Sequence, residues 1–140
     1  MKKIIVLAST ICLFIFTNTY AQVSQNDNSE FSSQKVTSIM KAGKTYSVSV
    51  TFKNTGNSVW EKDKYWIIYT DPRMNARNNN EWGIDSIRVS KNVKPGSKHQ
   101  FKFKVTAPSE PGTYFFAWTM CSEKGSFGFG SDLQQITVEK

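Results

Sequence analysis

From Tyr46 onward the chain alternates apolar and polar residues. Tyr46, Val48, Val50 and Phe52 fall on one face, and Ser47, Ser49, Thr51 and Lys53 on the other. Alternation with period two marks a strand with one buried face. The pattern returns at residues 100–105, where Phe101, Phe103 and Val105 alternate with Gln100, Lys102 and Lys104. A third stretch opens on Pro108, Pro111 and Gly112, which force a turn. Tyr114, Phe116, Trp118 and Met120 then occupy every second position. The opposite face of that strand carries Phe115, Ala117, Thr119 and Cys121 and is also mostly apolar. Such a strand is expected to be central or covered on its outer side. The core predicted from these runs is Tyr46, Val48, Val50, Phe52, Phe101, Phe103, Tyr114, Phe116 and Trp118.

Shorter runs predict an edge strand over residues 35–40 and further strands over 65–70, 84–90 and 133–138. Turn signals separate them at residues 41–44, 54–57 and 93–96, and a glycine-rich loop spans 122–131. Residues 71–81 form a long polar loop, with Asn78, Asn79 and Asn80 at its tip and Trp82 closing it. No run keeps a helical period. About seven antiparallel strands and no helix predict an all-β, immunoglobulin-like β-sandwich.

Composition changes the picture at the N-terminus. Lys2 and Lys3 precede an apolar run over residues 4–16, followed by Thr19-Tyr20-Ala21. This is the form of a cleaved export signal over residues 1–21, with the mature chain starting at Gln22. The run is short for a membrane span, so no membrane insertion is expected after cleavage. Residues 22–34 are rich in Ser, Asn and Gln and read as a flexible polar leader; the domain is placed at 35–140. The expected location is therefore periplasmic or extracellular. Removing Lys2 and Lys3 from the 18 basic residues leaves 16 against 11 acidic ones, a net charge of +5. Export argues against nucleic acid as the partner, and lysines along strands also keep exposed edges from pairing. Cys121 is the only cysteine after residue 21, so no intramolecular disulfide is available and the fold must hold by packing.

Candidate chemistry is sparse. His99 is the single histidine and lies at the start of a strand, where it reads as a rim residue. Cys121 has no base placed beside it by the sequence and reads as a buried thiol. Asp63, Asp71 and Asp85 follow no calcium-loop spacing. No catalytic residue, cofactor or metal is expected, and the chain is not expected to be an enzyme. Aromatics on loops are better candidates, since they anchor protein partners or stack on sugars. Trp60, Tyr65, Trp82, Phe127 and Phe129 form the candidate binding surface. Strand count puts the loops at 54–64, 91–96 and 122–131 together at one end, and Trp82 at the other. The partner is an unidentified protein or, alternatively, a surface glycan bound by these loop aromatics.

The order of motifs resembles a known family. It runs from Gly43 to Asn54-Thr55-Gly56 with Trp60, then Val93 with Pro95-Gly96. Ala107-Pro108, Pro111-Gly112-Thr113-Tyr114, Trp118 and Met120 follow, and Phe127-Gly128 closes the series. This resembles the FW (four-tryptophan) immunoglobulin-like domain of the autophagy cargo receptors called Next to BRCA one, in the stand-alone form found in bacteria. The resemblance covers roughly residues 31–138. Trp60 and Trp118 occupy signature positions, whereas the first signature tryptophan falls at Val50 and the last near Leu133. The resemblance thus implies the fold and a non-catalytic binding role, without the partner surface of the receptors.

Overall fold

The computed structural model describes residues 26–70 and 81–140. The expected export signal at 1–21, the first leader residues at 22–25 and the loop at 71–80 lie outside the described residues. Ten strands form the described chain: β1 (Ser29–Lys35), β2 (Ile39–Lys41), β3 (Thr45–Asn54), β4 (Tyr65–Tyr69), β5 (Ser86–Arg88), β6 (Lys98–Thr106), β7 (Gly112–Phe116), β8 (Trp118–Ser122), β9 (Gly125–Phe127) and β10 (Gln134–Glu139). They make three sheets, ordered β1-β3-β6, β2-β10-β7 and β5-β4-β8-β9. The architecture is an all-β, Ig-like sandwich.

The alternating runs fix the register. Across β3 and β6, Val48 lies opposite Phe103, Val50 opposite Phe101, and Phe52 opposite His99. Residues directly opposite in an antiparallel pair share a face, so these side chains together make one inner layer. The other layer meets it through Trp118, whose ring centroid is 4.9 Å from that of Phe103. Val48, Val50, Phe52, Phe101, Phe116 and Trp118 are buried. Tyr46, Phe103 and Tyr114 are half-buried and pack against them. Burial of each large ring stabilises the fold by about 2–3 kcal/mol of transferred apolar area.

Three expectations change. The polar leader does not extend to residue 34, because β1 begins at Ser29 and pairs with β3 along its length. Phe31 anchors it, its ring edge-on to Phe52 at 6.1 Å. The strand expected at 35–40 is two elements in different layers: β1 ends at Lys35, and β2 pairs in parallel with β10. The strand expected from Tyr114 to Cys121 is also split. β7 pairs with β10, whereas β8 pairs with β4 and β9. The break falls at Ala117, which is buried although Phe116 and Trp118 on either side keep the inward period.

Candidate functional site

The loops after β3, β5 and β8 meet at one end of the sandwich. Asn54 organises the junction from a fully buried position. Its side-chain amide donates to the carbonyls of Ser58 at 2.7 Å and Val93 at 3.0 Å. Its carbonyl oxygen accepts from the Gly56 amide at 3.1 Å, an Asx-type turn that ends the strand. One side chain thereby satisfies polar groups on two loops, which fixes where Trp60 emerges. Trp60 then exchanges both backbone hydrogen bonds with Val93, each at 2.9 Å. Its ring stacks on Tyr65 at 6.4 Å and tilts against Phe127 at 6.1 Å. Tyr65 and Phe127 meet edge to face at 5.9 Å, closing a three-ring cluster.

Residues 26–28 tie down this cluster. The Asn28 carbonyl accepts from the amides of Thr55 and Gly56, and the Asn26 carbonyl from that of Asn57. Gly56 is required by close approach: a Cβ there would lie 2.7 Å from the Asn28 nitrogen. The Tyr65 hydroxyl donates to the Asp27 carboxylate at 2.9 Å. Burial, followed by this hydrogen bond and the Asp27 charge, pushes the Tyr65 phenol up to about 12. Beside it lies a depression of about 200 Å³ bordered by Asp27, Tyr65 and Ser122, with the charged side chains of Glu61 and Lys64 at its rim.

The structure therefore brings Trp60, Tyr65 and Phe127 together but makes them a packing unit. Trp60 is fully buried, and Tyr65 and Phe127 are half-buried. Trp82, at the opposite end, is also fully buried. Its indole donates to the Phe115 carbonyl at 2.9 Å and its ring meets Phe116 edge-on at 5.9 Å. Trp60 and Trp82 are accordingly removed from the candidate binding surface, and with them the planar loop platform for sugars. Phe129 remains, with 81% of its surface exposed.

Phe129 is exposed on a loop held at several points. Its amide donates to the Ser29 carbonyl at 3.3 Å. The Ser131 amide donates to the Trp118 carbonyl at 2.7 Å, and the Ser131 hydroxyl accepts from the Trp118 amide at 3.0 Å. Leu133, also exposed, ends the same loop.

His99 corrects the rim reading. It is buried, its ring edge-on to Phe101 at 4.7 Å. Burial, with a smaller push from Lys91, lowers its pKa below the usual histidine range. Burial raises the Cys121 thiol in the same way, which suppresses the thiolate. Among the described residues no His, Cys, Asp and Glu side chains group as a metal site.

Two features lie outside the residues taken from the sequence as candidates. Asp27 lies in a segment whose polar composition hides its docking role. Trp66 is half-buried on the outer face of β4, with the Arg88 guanidinium 5.2 Å over its ring. Its signal was parity: neighbours on a strand point to opposite faces, so inward Tyr65 requires outward Trp66.

Residues 18–138 match the protein family described as the Ig-like domain from next to BRCA1 gene. No curated protein matches the chain at comparable significance. Among solved structures, a β-glucosidase from Listeria innocua in complex with glucose is 15% identical, over 84% of this chain and 16% of its own, with a TM-score of 0.41. A β-glucosidase from Kluyveromyces marxianus in complex with glucose is 14% identical, over 84% of this chain and 14% of its own, with a TM-score of 0.40. AvmM, which catalyses macrocyclization in alchivemycin A biosynthesis, is 13% identical over 83% of this chain and 90% of its own, with a TM-score of 0.39. The chain spans about a sixth of the length of the first of these. Likenesses this distant carry no argument about activity. Membership of an Ig-like family points to a binding or interaction module.

Proposed function

The chain belongs to the family of the Ig-like domain from next to BRCA1 gene, and from that premise we propose that it is an exported, non-catalytic module that recognises a protein at the cell envelope. The carrying observation is Phe129, 81% exposed on a loop fixed by hydrogen bonds to Ser29 and Trp118. A large apolar ring held out to solvent on an ordered loop has little conformational entropy left to lose on binding. Aromatic side chains are also enriched among the anchors that carry interface energy. Asp27, near the Ser29 that holds this loop, borders a depression with Glu61 and Lys64 and adds polar groups to the surface. Export rests on the sequence of residues 1–21. Two observations support the absence of turnover: His99 and Cys121 are both buried, and burial keeps the Cys121 thiol protonated.

The test is crosslinked capture from a native envelope fraction by the mature chain, comparing wild type with Phe129→Ser. Because Phe129 is exposed, the substitution is expected to change stability by no more than about 0.5 kcal/mol. A partner captured by wild type and reduced at least tenfold with Phe129→Ser, at equal melting temperature, supports the proposal. Equal capture by both proteins sinks it.

A further inference from the structure

The outer face of the β1-β3-β6 sheet holds the charge excess of the described molecule. Register places Lys53 opposite Lys98, Thr51 opposite Gln100, Ser49 opposite Lys102 and Ser47 opposite Lys104, all on the side away from the core. Lys35 and Glu30 of β1 join the same face, opposite Ser49 and Lys53. Five lysines therefore share this face with one acid, Glu30. The described residues as a whole carry fourteen Lys and Arg against ten Asp and Glu. The face's excess of four thus equals the excess of the entire described chain, and the rest of the surface is balanced. Among the described residues, the ion pairs are Lys41–Glu139, Lys62–Asp63 and Lys64–Glu61. None of them involves the five lysines of this face.

The face is also shaped. A shallow depression of about 540 Å³ lies on it, with Ser47, Ser49 and Gln100 beside Lys35, Lys102 and Lys104, and with Val48 and Phe103 also lining it. Successive outward residues on a strand are about 7 Å apart and neighbouring strands about 5 Å apart. The result is a regular array of cations with hydroxyl and amide groups between them.

We propose that this sheet face binds an acidic polysaccharide, an extended polymer carrying carboxylates at regular spacing and hydroxyls between them. Lysine ammonium groups pair with the carboxylates as point charges, and Ser47, Ser49 and Gln100 exchange hydrogen bonds with the sugar hydroxyls. A single-stranded nucleic acid would call for exposed rings to stack its bases, and this face presents none: Phe103, at the depression, points inward to Trp118. A lipid surface would call for apolar side chains to insert, and the outward positions are Lys, Ser, Thr and Gln, with Glu30. The inference is independent of the protein-recognition reading, because Phe129 lies on a different loop and is not used.

The experiment measures binding of the mature chain to polygalacturonate by titration calorimetry, with neutral dextran, single-stranded DNA and inorganic polyphosphate as comparison probes. Wild type is expected to bind polygalacturonate at least tenfold more tightly than dextran, weakening as salt rises. Lys35→Gln/Lys102→Gln/Lys104→Gln is expected to lose at least tenfold at unchanged melting temperature. Lys41→Gln/Lys62→Gln/Lys64→Gln, away from this face, is expected to lose less than threefold, and Phe129→Ser to bind as wild type. Three results overturn the proposal: binding to polygalacturonate no tighter than to dextran, equal losses in the two triple variants, or tighter binding to DNA or polyphosphate.

Discussion

Gly128 shows how one residue can decide whether two segments meet. Its φ of 68° lies in the left-handed region, which costs a residue with a Cβ about 1 kcal/mol. A Cβ there would also lie 2.6 Å from both the backbone nitrogen and the carbonyl oxygen of Ser29. Backbone on the first strand of the sheet cannot retreat without breaking its ladder. Gly128→Ala is therefore expected to destabilise the domain by about 3 kcal/mol, summing strain and displaced packing. Urea unfolding monitored by tryptophan fluorescence checks it, and a cost below about 1 kcal/mol would show that the contact with Ser29 yields freely.

His99 gives a second prediction at the same scale, with a sign that follows from burial. Its folded pKa is lowered from 6.5 by burial and then by Lys91. The unfolded chain therefore binds the proton more readily than the folded one. The stabilisation is complete above 6.5 and is lost as pH falls through 6.5 toward the lower folded value. Unfolding free energy is expected to decline over that window, and His99→Gln to flatten the decline. An identical pH profile in both proteins would assign the acid sensitivity elsewhere.

At the scale of elements, the two strands with the strongest alternation were legible. β3 and β6 carry their faces in plain sequence, and the turn residues at 54–57 and 93–96 mark their ends. β1 was not legible because an edge strand buries little: its one large inward ring, Phe31, stands among Ser, Gln and Glu. The break between β7 and β8 was hidden because Ala117 is small and apolar and fits either face. The candidate site was partly legible. Chain order and turn spacing placed the loops at one end, but burial depends on what covers a ring, and the cover for Trp60 and Tyr65 comes from residues 26–28. A prediction belongs to that cover. Asp27→Asn removes the charge that the Tyr65 hydroxyl faces at 2.9 Å. The tyrosine titrating at about 12 is expected to fall toward 10, read by ultraviolet absorbance against pH. Burial keeps part of the shift, so a complete return to the ordinary value would mean that the segment had detached.

At the scale of the molecule, Cys121 reports whether the sandwich opens as one body. It sits in β8 between β4 and β9, opposite Trp66 on one side and Ser126 on the other. Exposing its thiol requires at least one of those neighbours to leave; Tyr69 of β4 packs on Trp118, and Phe127 of β9 packs on Trp60 and Tyr65. Burial also raises its pKa, so little thiolate is available to a reagent. Labelling by a disulfide reagent is therefore expected to be slow in native buffer and to accelerate with urea in step with the loss of tryptophan signal. Coincidence of the two transitions follows from one cooperative core spanning both layers. Labelling that runs ahead of unfolding would instead locate a separable β8–β9 edge. The loop that carries Phe129 would then belong to the part that opens first, and its ring could not serve as a pre-ordered anchor.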